Sequence, residues 1–266
     1  MVQENVAKME KITIKNRKNQ KIVALVEEAE NQKGFAFVMH GLSGFKEQPH
    51  IQVMAEAFKE NDYTVVRFDT TNTLGESDGN IEDATTTNYY EDLEDVINWV
   101  KDQKWYQEPF CLAGHSLGSI CIALYAEKYP EKVKGLAPIS TVISGKLSDE
   151  AHMAFEPMEY KEWERTGWIE RKSYSRPGVV YRLKWSQNID RQKYNLLDNV
   201  QKLTMPVLLI VGDKDTGTPP KDQKILFDAL PGPKEMHIIK GAPHTFRERE
   251  HLAEVKQILN QWIAKL

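Results

Sequence analysis

The sequence is poor in cysteine, in long apolar runs and in excess charge of either sign. Its 266 residues hold two cysteines, Cys111 and Cys121. Cys111 sits in the apolar run FCLAG and Cys121 in a helical pattern. Both therefore read as small buried hydrophobes, and a disulfide framework is excluded. No stretch of about 18 uncharged apolar residues occurs, which excludes a membrane-spanning helix. The opening MVQENVAKMEKITIKN carries no apolar segment of the kind a secretory leader needs, so the expected location is the cytoplasm. A formal net charge of -4 and a pI near 6.0 argue against a nucleic-acid surface, which requires clustered lysine and arginine. There is no internal repeat and no low-complexity tract.

What remains is a globular pattern, 41% hydrophobic and 28% charged, long enough for a sizeable core. Two strand-like runs, KITIKN (11–16) and KIVALVEE (21–28), flank a polar turn and read as a β-hairpin. FAFVMHG (35–41), TVVRFD (64–69), FCLAG (110–114), VKGLAPIS (133–140), PVLLIVGD (206–213) and KEMHIIKG (234–241) read as buried strands. Between them lie helical patterns near 50–61, 88–104, 116–129 and 222–230, with a last one from about Arg247. Strands alternating with helices of this length predict crossover units, a mainly parallel central sheet with helices on both faces, and the N-terminal hairpin as an antiparallel edge. Residues 141–203 break the alternation. This stretch is polar and aromatic-rich, with Trp163, Trp168, Trp185, Tyr160, Tyr174, Tyr181 and Tyr194, and is too long for a loop. It is expected to be a small, mostly helical cap inserted into a core built from residues 1–140 and 204–266.

GHSLG (114–118) follows one of these strands and opens a helix, the setting that G-x-S-x-G requires to present a serine on a tight turn. Gly114 and Gly118 give the room for the backbone to fold back, and the helix N-terminus supplies free N–H groups. Ser116 is therefore the expected nucleophile. Serine needs a general base, and in this chain order the base follows it. Of His152, His237, His244 and His251, only His244 lies in a loop just past a strand end, in GAPHTFRE, so it is the expected base. VGDKDTGTPP offers Asp213 and Asp215 for the orienting acid. Strand periodicity does not separate them. Asp215 lies further into the loop and is the expected partner of His244, with Asp213 stiffening the turn. HGLSGFK (40–46) follows another strand. The backbone N–H of Leu42 and that of Leu117, next to the nucleophile, are the expected oxyanion donors. DTTNTLGESDG (69–79) is expected to be a polar loop that buttresses the oxyanion loop.

HGLSG, GHSLG, GDKD and APHTF, in this order and after these strands, resemble the α/β-hydrolase superfamily over nearly the whole chain. HGLSGFKEQ, FDTTNTLGESDG and the compact insert are most similar to small bacterial esterases, among them cinnamoyl and feruloyl esterases. Serine-aminopeptidase-type and monoacylglycerol lipases are similar at a greater distance. The resemblance implies a triad of Ser116, Asp215 and His244 cleaving a small-molecule ester, with no organic cofactor and no metal. A peptidase, thioesterase or lactonase would use the same residues, and a non-catalytic scaffold would bind a ligand without reacting. A peptidase would need a group for the substrate amine, for which Glu156, Glu159, Glu162 and Glu164 are available, although a solvated helix face is the preferred reading of them. The cap aromatics suit an acyl pocket, the cap's own core, or contacts in a homodimer.

Overall fold

The computed structural model of the chain describes residues 9–266. The first eight residues, half of the stretch read above for a leader, lie outside them. β1 (Met9–Lys15) and β2 (Lys21–Glu27) form the antiparallel hairpin, with Ile14 opposite Ile22. β3 (Gly34–Met39), α1 (Pro49–Glu60), β4 (Tyr63–Phe68), α2 (Thr86–Val100), β5 (Phe110–His115), α3 (Leu117–Lys128) and β6 (Val133–Ile139) follow. After the insertion come β9 (Val207–Gly212), α7 (Pro220–Ala229), β10 (Lys234–Ile239) and α8 (Arg249–Ile263). The eight-stranded sheet has the order β1-β2-β4-β3-β5-β6-β9-β10, with β7 (Trp168–Lys172) and β8 (Val180–Lys184) forming a separate pair. Pairing is parallel from β4 onward, while β1–β2 and β2–β4 are antiparallel, so the hairpin forms one edge as expected. The exposed β1 carries Lys11 and Lys15, charges that discourage a further strand from adding there.

Successive residues of one strand serve opposite faces of the sheet. Phe35, Phe37 and Met39 of β3 join a core with Leu93, Val96 and Ile97 of α2, Ile120 of α3 and Leu226 of α7. Ala36 and Val38 join a second core with Ile51, Met54 and Phe58 of α1 and Leu259 and Trp262 of α8. Central strands covered on both faces must be apolar throughout, which is why they read as continuous runs rather than as alternating ones. α2 stops at Val100 rather than near 104, because the chain turns there and packs Trp105 on Phe35, with ring centroids 5.4 Å apart.

The insertion between β6 and β9 comprises α4 (Gly145–Phe155), α5 (Pro157–Thr166), the antiparallel hairpin of β7 (Trp168–Lys172) and β8 (Val180–Lys184), α6 (Trp185–Arg191) and two short 3-10 turns. The two-stranded element is absent from the mostly helical reading. Its strands, WIERK and VYRLK, are too charged to stand out as a hydrophobic pattern. The insertion leaves and rejoins the core through a narrow neck. There Gly145 N–H donates to the Tyr194 carbonyl at 3.1 Å and Leu196 N–H to the Ile143 carbonyl at 2.9 Å. Trp163, Ile169 and Leu183 form its own small core. Trp185 meets Trp163 edge-on at 5.1 Å and Tyr160 at 5.4 Å, so these three aromatics hold the insertion together. Among the described residues no helix is long and apolar enough to cross a membrane.

Candidate active site

Parallel strands deliver their C-terminal loops to one edge of the sheet, and there the three side chains expected to cooperate meet. Ser116 sits between β5 and α3 with φ 55° and ψ −116°, a left-handed backbone that a non-glycine residue adopts only when its surroundings enforce it. Its N–H is held by the Ile139 carbonyl at 3.0 Å. A Cβ on Gly118 would lie 2.3 Å from the His40 carbonyl oxygen, so only glycine lets α3 start this close to the β3 loop. A Cβ on Gly41 would lie 2.9 Å from the Cβ of Ser116, which places the backbone of residues 41–42 directly against the serine.

His244 Nε2 lies 2.9 Å from Ser116 Oγ, and its Nδ1 lies 2.9 Å from Asp215 Oδ2. An ionised carboxylate only accepts, so Nδ1 carries the proton and Nε2 is left to accept from the serine hydroxyl. The remaining capacity of Asp215 is taken up by Thr218, through its N–H at 2.9 Å and its hydroxyl at 2.8 Å, and by Gly217 N–H at 2.9 Å. Burial pushes this carboxyl up, yet the charge and hydrogen bond of His244 with the Thr218 donors outweigh it and hold Asp215 far below the usual carboxylate range. Burial likewise pulls His244 down, and the facing Asp215 charge more than offsets it, leaving the imidazole above its ordinary value. Asp213 takes the other role: its Oδ1 accepts Gly241 N–H at 2.7 Å and ties the β9 and β10 loops together.

Several residues hold this arrangement without having been singled out in the sequence. His115 Nε2 donates to the His244 carbonyl at 2.8 Å, fastening the loop of the imidazole to the turn of the serine. Burial keeps His115 neutral, lowering it to about 3. His40 Nε2 accepts from Thr70 N–H at 3.1 Å and its Nδ1 donates to the Gly41 carbonyl at 2.7 Å, fixing the loop that carries Leu42. Lys46, with no exposed side-chain surface, reaches Asp69 Oδ2 at 2.8 Å and Glu76 Oε2 at 2.6 Å. Asp69 in turn accepts the Lys46 and Glu76 amides at 2.7 and 2.8 Å, so the 69–79 loop buttresses the Leu42 loop as its turn-forming composition suggests. Leu117 is the first residue of α3, where N–H groups have no acceptor within the helix.

Two cavities open onto Ser116. One, of about 180 Å³, runs under the insertion past His152, Glu156, Arg171, Arg191 and Thr216–Thr218. The other, of about 70 Å³, runs from Gly41 and Ser43 past Gln48, His50, Ser175 and Tyr181. Larger hollows, such as one of about 290 Å³ beside Tyr90, Glu127 and Tyr194, hold no nucleophile–base pair. His152, Glu156 and Glu159 bring metal-ligand atoms within 4.8 Å of one another, but Arg171 already reaches Glu159 at 2.5 Å and Glu156 at 3.4 Å. Glu162 pairs with Arg165 on the outer surface.

Comparison with known proteins agrees with this architecture. The family model described as alpha/beta hydrolase fold matches residues 37–170. Palmitoyl-protein thioesterase ABHD10, mitochondrial, of Bos taurus is 26% identical over 213 residues, which span 79% of this chain and 67% of that protein. Est1E from Butyrivibrio proteoclasticus, solved with ferulic acid bound, superposes with a TM-score of 0.78 at 22% identity, covering 96% of this chain and 98% of that one. Alpha/beta hydrolase domain-containing protein 10 from mouse superposes at 0.77 with 22% identity, covering 96% and 99%. The two superpositions establish a common fold. With half of its length matched by the family model, the chain belongs to the alpha/beta hydrolase fold family.

Proposed function

We propose that this protein is a serine hydrolase that cleaves carboxylic esters through an acyl-enzyme on Ser116. The observation that carries the reading is the unbroken hydrogen-bonded series from Ser116 Oγ through both ring nitrogens of His244 to Asp215, with each link at 2.9 Å. Ser116 Oγ forms a bond to the acyl carbon as its proton passes to His244 Nε2. The carbonyl oxygen becomes an oxyanion facing the N–H groups of Leu42 and Leu117, such donors contributing roughly 3–4 kcal/mol each to the transition state. Asp215 keeps the imidazole oriented and stabilises its cation. The C–O bond to the alcohol breaks as the proton passes on to it, and water then repeats the sequence on the acyl-enzyme. No step needs a cofactor.

A thioester would be cleaved by the same groups, and the Bos taurus relative is named a palmitoyl-protein thioesterase. The cavities at Ser116 suit a different substrate. Both are small; the larger is lined mainly by hydroxyl, imidazole and charged groups beside Val142 and Phe155, the smaller by polar and apolar surface in near-equal parts, and neither offers a long alkyl-binding wall. A short, polar ester is the better complement. Ser116→Ala is expected to lower the hydrolysis of short p-nitrophenyl esters by several orders of magnitude and to abolish labelling by a fluorophosphonate probe. Labelling of the wild type elsewhere, or undiminished turnover in the purified variant, would refute the assignment.

A further inference from the structure

We propose that Arg191 is the substrate-binding group of the larger cavity, and that it receives a carboxylate on one arm of the ester. The inference rests on the reading of Ser116 as nucleophile. Arg191 ends α6, is 9% exposed, and lines the cavity together with Ser116 and His244. Its guanidinium is only partly satisfied. Nη2 donates to Asn188 Oδ1 and to Asp149 Oδ1, the latter at 3.2 Å. Nε is enclosed without a partner, and Nη1 finds no acceptor among the described residues. An enclosed cation with unmet donors is costly, and a core position would be filled more cheaply by an aliphatic side chain. Burial accordingly pulls this guanidinium down even with Asp149 beside it.

The surroundings hold Arg191 in place while leaving those donors free. Asp190 anchors α6 to α2 by accepting Thr87 N–H at 2.9 Å and the Thr87 hydroxyl at 2.7 Å. Asp149 is itself fixed by the Tyr160 hydroxyl at 2.7 Å and Gln192 Nε2 at 2.9 Å. The other guanidinium of the cavity, Arg171, is engaged by Glu156 and Glu159, and His152 by Glu159 at 3.1 Å. Both terminal nitrogens of Arg171 are thus engaged, which leaves Nη1 of Arg191 as the free terminal guanidinium nitrogen in the lining. Nε is closed off from the cavity and does not share a fork with Nη1, so the donor left for a substrate is Nη1, and a carboxylate meets it with a charge-assisted hydrogen bond. The cavity of about 180 Å³, roughly six waters' worth, admits a short arm. The carboxylate would come from the acyl side, as in a half-ester of a short dicarboxylic acid, or from the alcohol side, as in an ester of a short hydroxy acid.

The test compares two pairs of esters by pH-stat: monoethyl glutarate with ethyl valerate for the acyl arm, and acetoxyacetate with propyl acetate for the alcohol arm. The wild type is expected to favour the acidic member of one pair by roughly 10- to 100-fold in kcat/KM, the effect of a charge-assisted hydrogen bond. Arg191→Met is expected to collapse that ratio, and Arg191→Lys to restore part of it. The pair that responds identifies the arm. Equal rates within both pairs, or a ratio that persists in Arg191→Met, would overturn the proposal; equal rates mean that water alone meets these donors. Calorimetry with Ser116→Ala gives a readout free of turnover. It is expected to detect the acidic ester of one pair more tightly bound than its neutral partner, the difference vanishing in the Ser116→Ala/Arg191→Met double variant. Equal or absent binding within both pairs sinks the Arg191 assignment. Failure of the wild type to hydrolyse any of the four, with Arg191-dependent binding intact, sinks the hydrolase reading instead.

Discussion

Gly118→Ala tests the close packing of the nucleophile turn against the oxyanion loop. The added Cβ would lie 2.3 Å from the His40 carbonyl oxygen, 2.9 Å from that of Met39 and 3.0 Å from the His40 carbonyl carbon. All three are backbone atoms, so no side chain can rotate away. Reaching even 3.0 Å from the nearest oxygen requires α3 and residues 39–42 to separate by about 0.7 Å, and a misplacement of about 1 Å at a catalytic centre costs on the order of 10²-fold in rate. The expected kcat for a short p-nitrophenyl ester is therefore lower by about 10²-fold, roughly 2.7 kcal/mol of lost transition-state stabilisation. Overpacking should also cost about 1–3 kcal/mol of stability. Stopped-flow hydrolysis, the rate of fluorophosphonate labelling and a urea melt report these separately, and labelling should slow in step with kcat. A variant with wild-type kcat and labelling rate would show that this contact does not hold the oxyanion loop, and the reasoning would fall.

Asp215→Asn retains the shape but not the charge that fixes the His244 tautomer, and kcat should fall by about 10⁴-fold, measured at pH 8 to keep the imidazole neutral. The wild-type pH profile follows from the same pair. Only neutral His244 accepts the serine proton, and Asp215 raises the imidazole above its ordinary value against the opposing effect of burial. Log kcat/KM should then drop with unit slope below a midpoint above 6.5, and a midpoint below 6 would contradict the Asp215 contact. Lys46→Met leaves Asp69 buried without its cation and should cost about 3–5 kcal/mol in a urea melt, an unchanged midpoint counting against the buttress.

The parts that the sequence discloses are those whose physics is local. A run such as FCLAG followed by GHSLG states a strand, a tight turn and a helix within a dozen residues, and buried parallel strands announce themselves by uninterrupted apolar character. Ser116, His244 and Asp215 come to one place because three strand ends share an edge, which alternation of strand and helix already entails. What stayed hidden depends on partners far along the chain. His40 and His115 read as neighbours of motif residues, and only the folded chain shows them bonded to Gly41 and His244. Thr218 stands in a plain turn until its hydroxyl meets Asp215. Arg191, in KWSQNIDRQKYN, is one charged residue among several, and nothing local marks it as enclosed. The β7–β8 hairpin escaped notice because charged residues interrupt both of its strands.

The neck at Gly145 and Leu196 has a consequence for how such a molecule changes over time. Residues 146–193 form a detour whose two ends lie side by side, so its length and contents can be rewritten without shifting β6 or β9. Ser116, Asp215 and His244, the proposed reacting groups, come from loops outside that detour, whereas Arg171, Arg191 and His152 come from within it. Replacing the detour with one from a relative should therefore exchange substrate preference while leaving the bond-breaking chemistry in place, a division of labour that makes this stretch the natural target for recombination.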